Sequence, residues 1–158
     1  MAVSRKPGRV IQTLALGSCL GLAAYHPASG VAGLAHFVLP DSSLPSQRGR
    51  SLAAYYVDTG LAALFAAMMA AGASGRPAGF VLRLAGGAQM INISGAIDVG
   101  ASNIKAFGQQ LRIWGGSLAG ASLRGVNSRN ISIEAGTGRA RLWAAGRGEL
   151  EFQTTRPR

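Results

Sequence analysis

The only thiol and the only imidazoles in this chain belong to Cys19, His26 and His36. Cys19 closes the stretch T-L-A-L-G-S-C that begins at Thr13, and His36 lies in G-L-A-H-F-V-L-P, which runs to Pro40. Each stretch is a short apolar run that reads as a buried strand, with Gly or Pro close by to turn the chain. A strand ending in Gly17-Ser18 can turn sharply and present Cys19 at its edge. A further strand, a turn and a returning strand then bring His36 back to it. Such a pair is the nucleophile and base of thiol acyl transfer. The thiolate is the attacking form, and an ordinary cysteine, with a pKa of about 8.5, is mostly protonated at neutral pH. Imidazole has the intrinsic pKa to take that proton and later return one to a leaving amine. The oxyanion formed on attack needs donors, for which the backbone N–H of Cys19 and of a neighbour are the natural candidates. On residue type alone, a lone cysteine is more often a small core residue.

The elements that must position the pair follow in order. Residues 10–16 and 20–25 read as strands, residues 27–30 as a turn, and residues 31–39 as the strand carrying His36. His26 is expected to be exposed at the turn before Pro27. Residues 41–50 are Ser/Pro/Arg-rich and read as a surface loop. Residues 51–71 read as a helix, with Leu61, Leu64, Phe65, Met68 and Met69 forming one apolar stripe and Gly72 as its stop. The two methionines read as core, and Asp58 as a favourable charge near the helix start. Residues 79–85 read as a strand. Gly86 and Gly87 then let the backbone turn where a side chain would clash, and no Gly-Lys-Ser/Thr follows to make a phosphate loop. Residues 91–98 read as a connector and residues 99–114 as a second helix, with Ile104, Phe107 and Leu111 inward. Beyond Gly115, runs such as Ile131-Ser132-Ile133 and residues 140–143 read as antiparallel strands joined through Gly136 and Gly138. Residues 1–9 and 147–158 are expected to be flexible. Strands and helices do not alternate regularly, which points to α+β.

Composition narrows the function classes. At 158 residues the chain suits one domain with a proper core. Sixteen basic residues against six acidic give a formal charge of +10, a field that attracts anionic partners. The basic residues are spread along the chain, without aromatic interleaving or a recognition motif, so nucleic acid is not expected. One cysteine excludes an internal disulfide and a multi-thiolate metal site, and neither metal nor cofactor is expected. Arg5, Lys6 and Arg9 before an apolar stretch resemble a secretory signal, and the residues up to Cys19 fit a lipoprotein cleavage box. Gln12 and Thr13 interrupt that apolar core, and the chain stays apolar after Cys19, so export is the minor reading. No uninterrupted membrane-spanning stretch is found, and the expected location is the cytoplasm.

The same blocks resemble the chemoreceptor glutamine deamidase family, CheD. The likeness rests on the Cys19 and His36 stretches with Tyr25 and Gly30 between them. It continues through Tyr56-Val57-Asp58, Gly86 to Met90, and Val99 to Asn103, covering about residues 10–143. It implies a layered α/β/β/α sandwich with mixed sheets and a cysteine-hydrolase-like site at a sheet edge, over one domain spanning residues 1–158. It implies that Cys19 is the nucleophile, His36 the base, and Thr13 the group that orients the imidazole. Gly17, Ser18, Gly86 and Gly87 would line the site or help hold the oxyanion, and Asn103 would be scaffold. The implied reaction converts glutamines of methyl-accepting chemotaxis receptors to glutamate with release of ammonia, and some members dock a CheC-type phosphatase. Two departures stand out. Ser102 replaces the arginine of the family's I-G-x-R-N block, and Leu118-Ala119-Gly120 replaces an L-G-G turn. A non-catalytic adaptor of the same fold, or an amidase for another substrate, fits the same residues.

Overall fold

The computed structural model describes residues 1–43, 53–89, 98–144 and 146–153. In chain order these form β1 (Ala2–Ser4), β2 (Val10–Leu16), β3 (Leu20–His26), β4 (Val31–Phe37), α1 (Val57–Ala70) and β5 (Val81–Gly86). Then come α2 (Val99–Trp114), β6 (Leu118–Leu123), β7 (Arg129–Glu134), β8 (Ala140–Ala144) and β9 (Gly148–Leu150). They build two sheets, one in the order β1-β4-β3-β5-β6 and one in the order β2-β7-β8-β9. In the first, β5 and β6 run parallel, with α2 between them in the chain, while its other pairs are antiparallel. The second is antiparallel throughout.

The alternation of side chains along β3 explains the layering. Leu20, Leu22 and Ala24 pack with Leu61, Leu64, Phe65, Met68 and Phe107 of the helices. Ala23 faces the other way and joins Ala32, Leu34 and Ala85 against Leu16, Ile131, Ile133 and Leu142 of the second sheet. Each fully buried leucine of this set stabilises the fold by about 1.5–3 kcal/mol. The fold is therefore the expected α+β layered one, containing a mixed sheet. Both helices pack on one face of that sheet, so the described residues supply three of the four expected layers. The outer face of the second sheet leaves Leu14 and Trp143 about half exposed.

Several expectations are corrected. Residues 2–4 are not a frayed end: β1 pairs with β4, Ala2 opposite Leu34. The C-terminal stretch is also tied in, with β9 paired to β8 and Gln153 bonded to Ala121. Leu118-Ala119-Gly120 is no turn but the start of β6, pairing with β5 while Phe152 packs over Gly120. The first helix begins at Val57, not residue 51. The carbonyl of Tyr55 accepts from Val38 and the N–H of Val57 donates to Leu39, so the end of β4 claims this backbone. Met68 is buried, but Met69, one position round the helix, is half exposed and not core. His26 is only 6% exposed, because β3 extends through it and Phe80 packs on its ring at 4.9 Å. Residues 44–50 of the loop expected at 41–50, and residues 91–97 of the connector expected at 91–98, lie outside the described residues. The second helix has the expected bounds, capped by Asp98 at its start and by Gly115 at its end.

Candidate active site

A bulge in β2 aims the first of the three expected site residues. Thr13 pairs with Ile131 and Leu16 with Arg129, so three steps on β2 match two on β7. The extra residue lets Thr13 and Leu16 both face inward, where strict alternation would turn one of them to solvent. Ala15 absorbs the change with φ +56, a left-handed conformation that alanine adopts only under constraint. Its N–H donates to Asn130 Oδ1 at 2.8 Å, which helps hold it there. Nothing in the sequence near Asn130 signals that role.

Thr13 reaches across to the other sheet, where its Oγ1 lies 2.8 Å from Nδ1 of His36. His36 is opposite Gly21 in the β3–β4 ladder, and Cys19 sits two residues before Gly21. Cys19 itself precedes the ladder, whose first pair is Leu20 opposite Phe37, and it packs against the apolar cluster between the two sheets. Leu16 and Ile131 pack directly on the Gly21 backbone: a Cβ there would lie 2.6 Å from Leu16 Cδ1 and 2.8 Å from Ile131 Cγ2, so those side chains would have to shift. The structure therefore brings together Thr13 of β2 and His36 of β4, while Cys19 lies in the β2–β3 turn, two residues before the ladder partner of His36.

The turn carrying Cys19 is held through its carbonyls. Gly17 O accepts from Ala88 N at 2.8 Å and Cys19 O from Gly87 N at 2.9 Å. Ser18 O accepts from Asn103 Nδ2 at 3.0 Å. Gly86, at φ +114, passes so close to the Cys19 carbonyl that a Cβ would collide with it. The N–H of Gly17 is turned back onto Ala15 O at 2.9 Å. Gly17 and Gly87 therefore brace the site with their N–H groups already engaged and are not free oxyanion donors.

Behind this glycine turn stands an ion pair that the sequence did not announce. Arg124 grips Asp98 with two bonds of 3.0 and 2.6 Å and donates to Gly87 O at 3.3 Å. Hydrogen bonding from Arg124, with the N–H of Ala101, holds the Asp98 carboxyl down at about 2. Asp98 also caps α2 through Ala101 N, so the pair ties the helix start to the turn that braces Cys19.

Burial sets the electrostatics of the pair. It raises the Cys19 thiol above its ordinary value, opposed by the residue's own backbone N–H, and it lowers the His36 imidazole. Both shifts favour the uncharged forms. At neutral pH the resting pair is thiol and imidazole, not thiolate and imidazolium, so a proton must move as the sulfur attacks.

A family model described as CheD chemotactic sensory transduction matches residues 38–143. The chain belongs to the CheD family. A relative from Solibacter usitatus, named "Probable chemoreceptor glutamine deamidase CheD", is 37% identical over 93% of this chain and 85% of its own. One of the same name from Symbiobacterium thermophilum is 36% identical over 96% and 92%. The "Chemoreceptor glutamine deamidase CheD" of Halalkalibacterium halodurans is 33% identical over 92% and 90%. The CheD family model begins just beyond His36, whereas an alignment covering 96% of the chain takes in Thr13, Cys19 and His36 as well. Among the described residues, no helix is long and apolar enough to cross a membrane.

Proposed function

We propose that this protein hydrolyses glutamine side-chain amides on chemotaxis receptors, with Cys19 as nucleophile, His36 as base and Thr13 as the group that orients the imidazole. The observation that carries the reading is the Thr13–His36 hydrogen bond between sheets, at 2.8 Å, with the chain's single cysteine two residues before the ladder partner of His36. With Nδ1 engaged by Thr13, Nε2 is left to take the Cys19 proton. The sulfur attacks the carboxamide carbon, and the N–H of Cys19 stabilises the oxyanion. The imidazolium returns its proton to the departing nitrogen, which leaves as ammonia, and a thioester remains. His36 then deprotonates a water that attacks the thioester, giving glutamate and the free thiol. A neutral hydroxyl behind the imidazole orients it with less stabilisation of the imidazolium than a carboxylate would give. That suits a regulatory modification that need not be fast. A CheC-type phosphatase partner and a cytoplasmic location belong to the same proposal and rest on the family likeness.

Intact-mass measurement of a receptor cytoplasmic domain, incubated with the wild type and with Cys19→Ala, tests the reading. Each conversion adds about one mass unit, as carboxamide hydrolysis through the thiol requires. Gain with the wild type and none with the variant is expected. No gain with either, using receptors of the same organism, overturns receptor deamidation. A receptor that stays bound but unchanged points to an adaptor.

A further inference from the structure

Cys19 and His36 must be held at a working distance, yet the strand ladder does not do it alone. The β3–β4 pairing starts at Leu20 opposite Phe37, one residue after the nucleophile. Cys19 is therefore placed by what grips the turn before β3. Of the three groups that hold its carbonyls, two belong to the Gly86–Ala88 backbone and touch only the nucleophile's side. The third is Asn103, and among the described residues it alone is seen to bond on both sides. Its Nδ2 donates to Ser18 O, next to the thiol, and to Val38 O, two residues beyond the imidazole, each at 3.0 Å.

The orientation of this amide follows from its surroundings. Flipping it would set Oδ1 against two carbonyl oxygens, so the NH2 must face them. Oδ1 is left buried with no hydrogen-bond partner among the described residues, and the residue is 0% exposed. A buried unsatisfied acceptor is unfavourable, and an apolar residue of similar size would avoid it. What an apolar residue could not supply is the two-pronged donor. The site beneath is also firm: Asp98 caps α2 one turn earlier, and Arg124 clamps Asp98 to the Gly87 carbonyl.

We infer that Asn103 is a positioning residue that sets the separation of Cys19 from His36, a role that rests on the catalytic reading above. It touches neither reacting atom. It joins the two backbone segments that carry them, so its loss lets the thiol and imidazole drift apart without changing either.

Because Cys19 is the only thiol, its alkylation by iodoacetamide reads the pair directly, without a receptor. In the wild type the alkylation rate should show a step at the ionisation of His36, absent in His36→Gln. Asn103→Ala should lose that step and reduce kcat on a receptor domain by about 10- to 100-fold, as misplacement on the order of an ångström does, with KM little changed. Asn103→Ser, a smaller change with one donor left, should lie between. Met68→Ala, a core change on the helix side of the mixed sheet, should lower the melting temperature while keeping the step and kcat. All readings are taken where each variant is folded by circular dichroism. If Asn103→Ala melts lower but keeps the step and kcat, the residue is packing only and the inference fails. If the wild type shows no His36-dependent step, the pair itself fails, and the inference with it. If the step behaves as expected while the wild type leaves receptors unmodified, positioning stands and only the substrate reading falls.

Discussion

The two histidines lie at opposite ends of one hairpin, formed by β3 and β4. Each has Nδ1 on a hydroxyl, His26 on Ser29 at 2.7 Å and His36 on Thr13 at 2.8 Å. A short imidazole–hydroxyl contact therefore does not mark a catalytic base. The difference is where the hydroxyl comes from. Ser29 is three residues on and belongs to the hairpin's own turn, so the bond closes a local loop. Thr13 is 23 residues back, on the other sheet, and is aimed by a bulge whose Ala15 sits in a left-handed conformation. His26 packs on Phe80, whereas His36 lies opposite Gly21, two residues after the chain's cysteine. One arrangement is a stitch within the fold and the other is a device with a strained support.

The largest contrast should come from removing each ring. His36→Gln is expected to lower receptor deamidation by about 10²- to 10⁴-fold, the usual contribution of a positioned base, with the protein still folded. His26→Ala should leave the rate of folded protein unchanged and cost about 1–3 kcal/mol of stability through the lost ring packing. Denaturant melts beside initial rates for the two variants check both halves. Equal loss of activity from both would break the distinction.

A smaller contrast separates the two hydroxyls. Thr13→Val keeps the shape but removes the bond to Nδ1, and should slow deamidation by about tenfold or more through a free imidazole. Thr13→Ser should restore most of it. Ser29→Ala should cost about 1 kcal/mol and leave the rate alone. A Thr13→Val enzyme with wild-type kcat would mean that the cleft walls, not the hydroxyl, orient His36.

What the sequence showed and hid follows the same divide. β2, β3, β4, β5 and α2 were legible because apolar runs end at Gly or Pro and α2 has a cap at each end. Thr13 and His36, which the resemblance paired, are hydrogen-bonded across the two sheets. The short strands β1, β6 and β9 were not legible: small and polar residues at these edges take their conformation from partners far along the chain. The start of α1 was misplaced because the end of β4 competes for residues 55–57. The burial of His26 depends on Phe80, brought over by tertiary packing that no local pattern encodes. The two-sided reach of Asn103 and the Arg124 clamp are equally nonlocal.

The smallest effect is on pH dependence, and it falls on His36. Burial lowers its pKa in the folded protein below the ordinary histidine value, so between those two values the unfolded chain binds more protons than the folded one. Stability therefore rises with pH through that window and is lost on acidification below about 6.5, the ordinary histidine value. His36→Gln has no proton to gain there, so its melting temperature should fall less between pH 7 and pH 5 than that of the wild type. The rate constant should follow the same group. Deamidation needs the neutral imidazole, so kcat/KM should decline on the acid side with a midpoint below the ordinary histidine value. A midpoint above that value would mean that a charge near His36 stabilises the imidazolium. The resting pair would then be thiolate and imidazolium, contrary to the burial that both residues show.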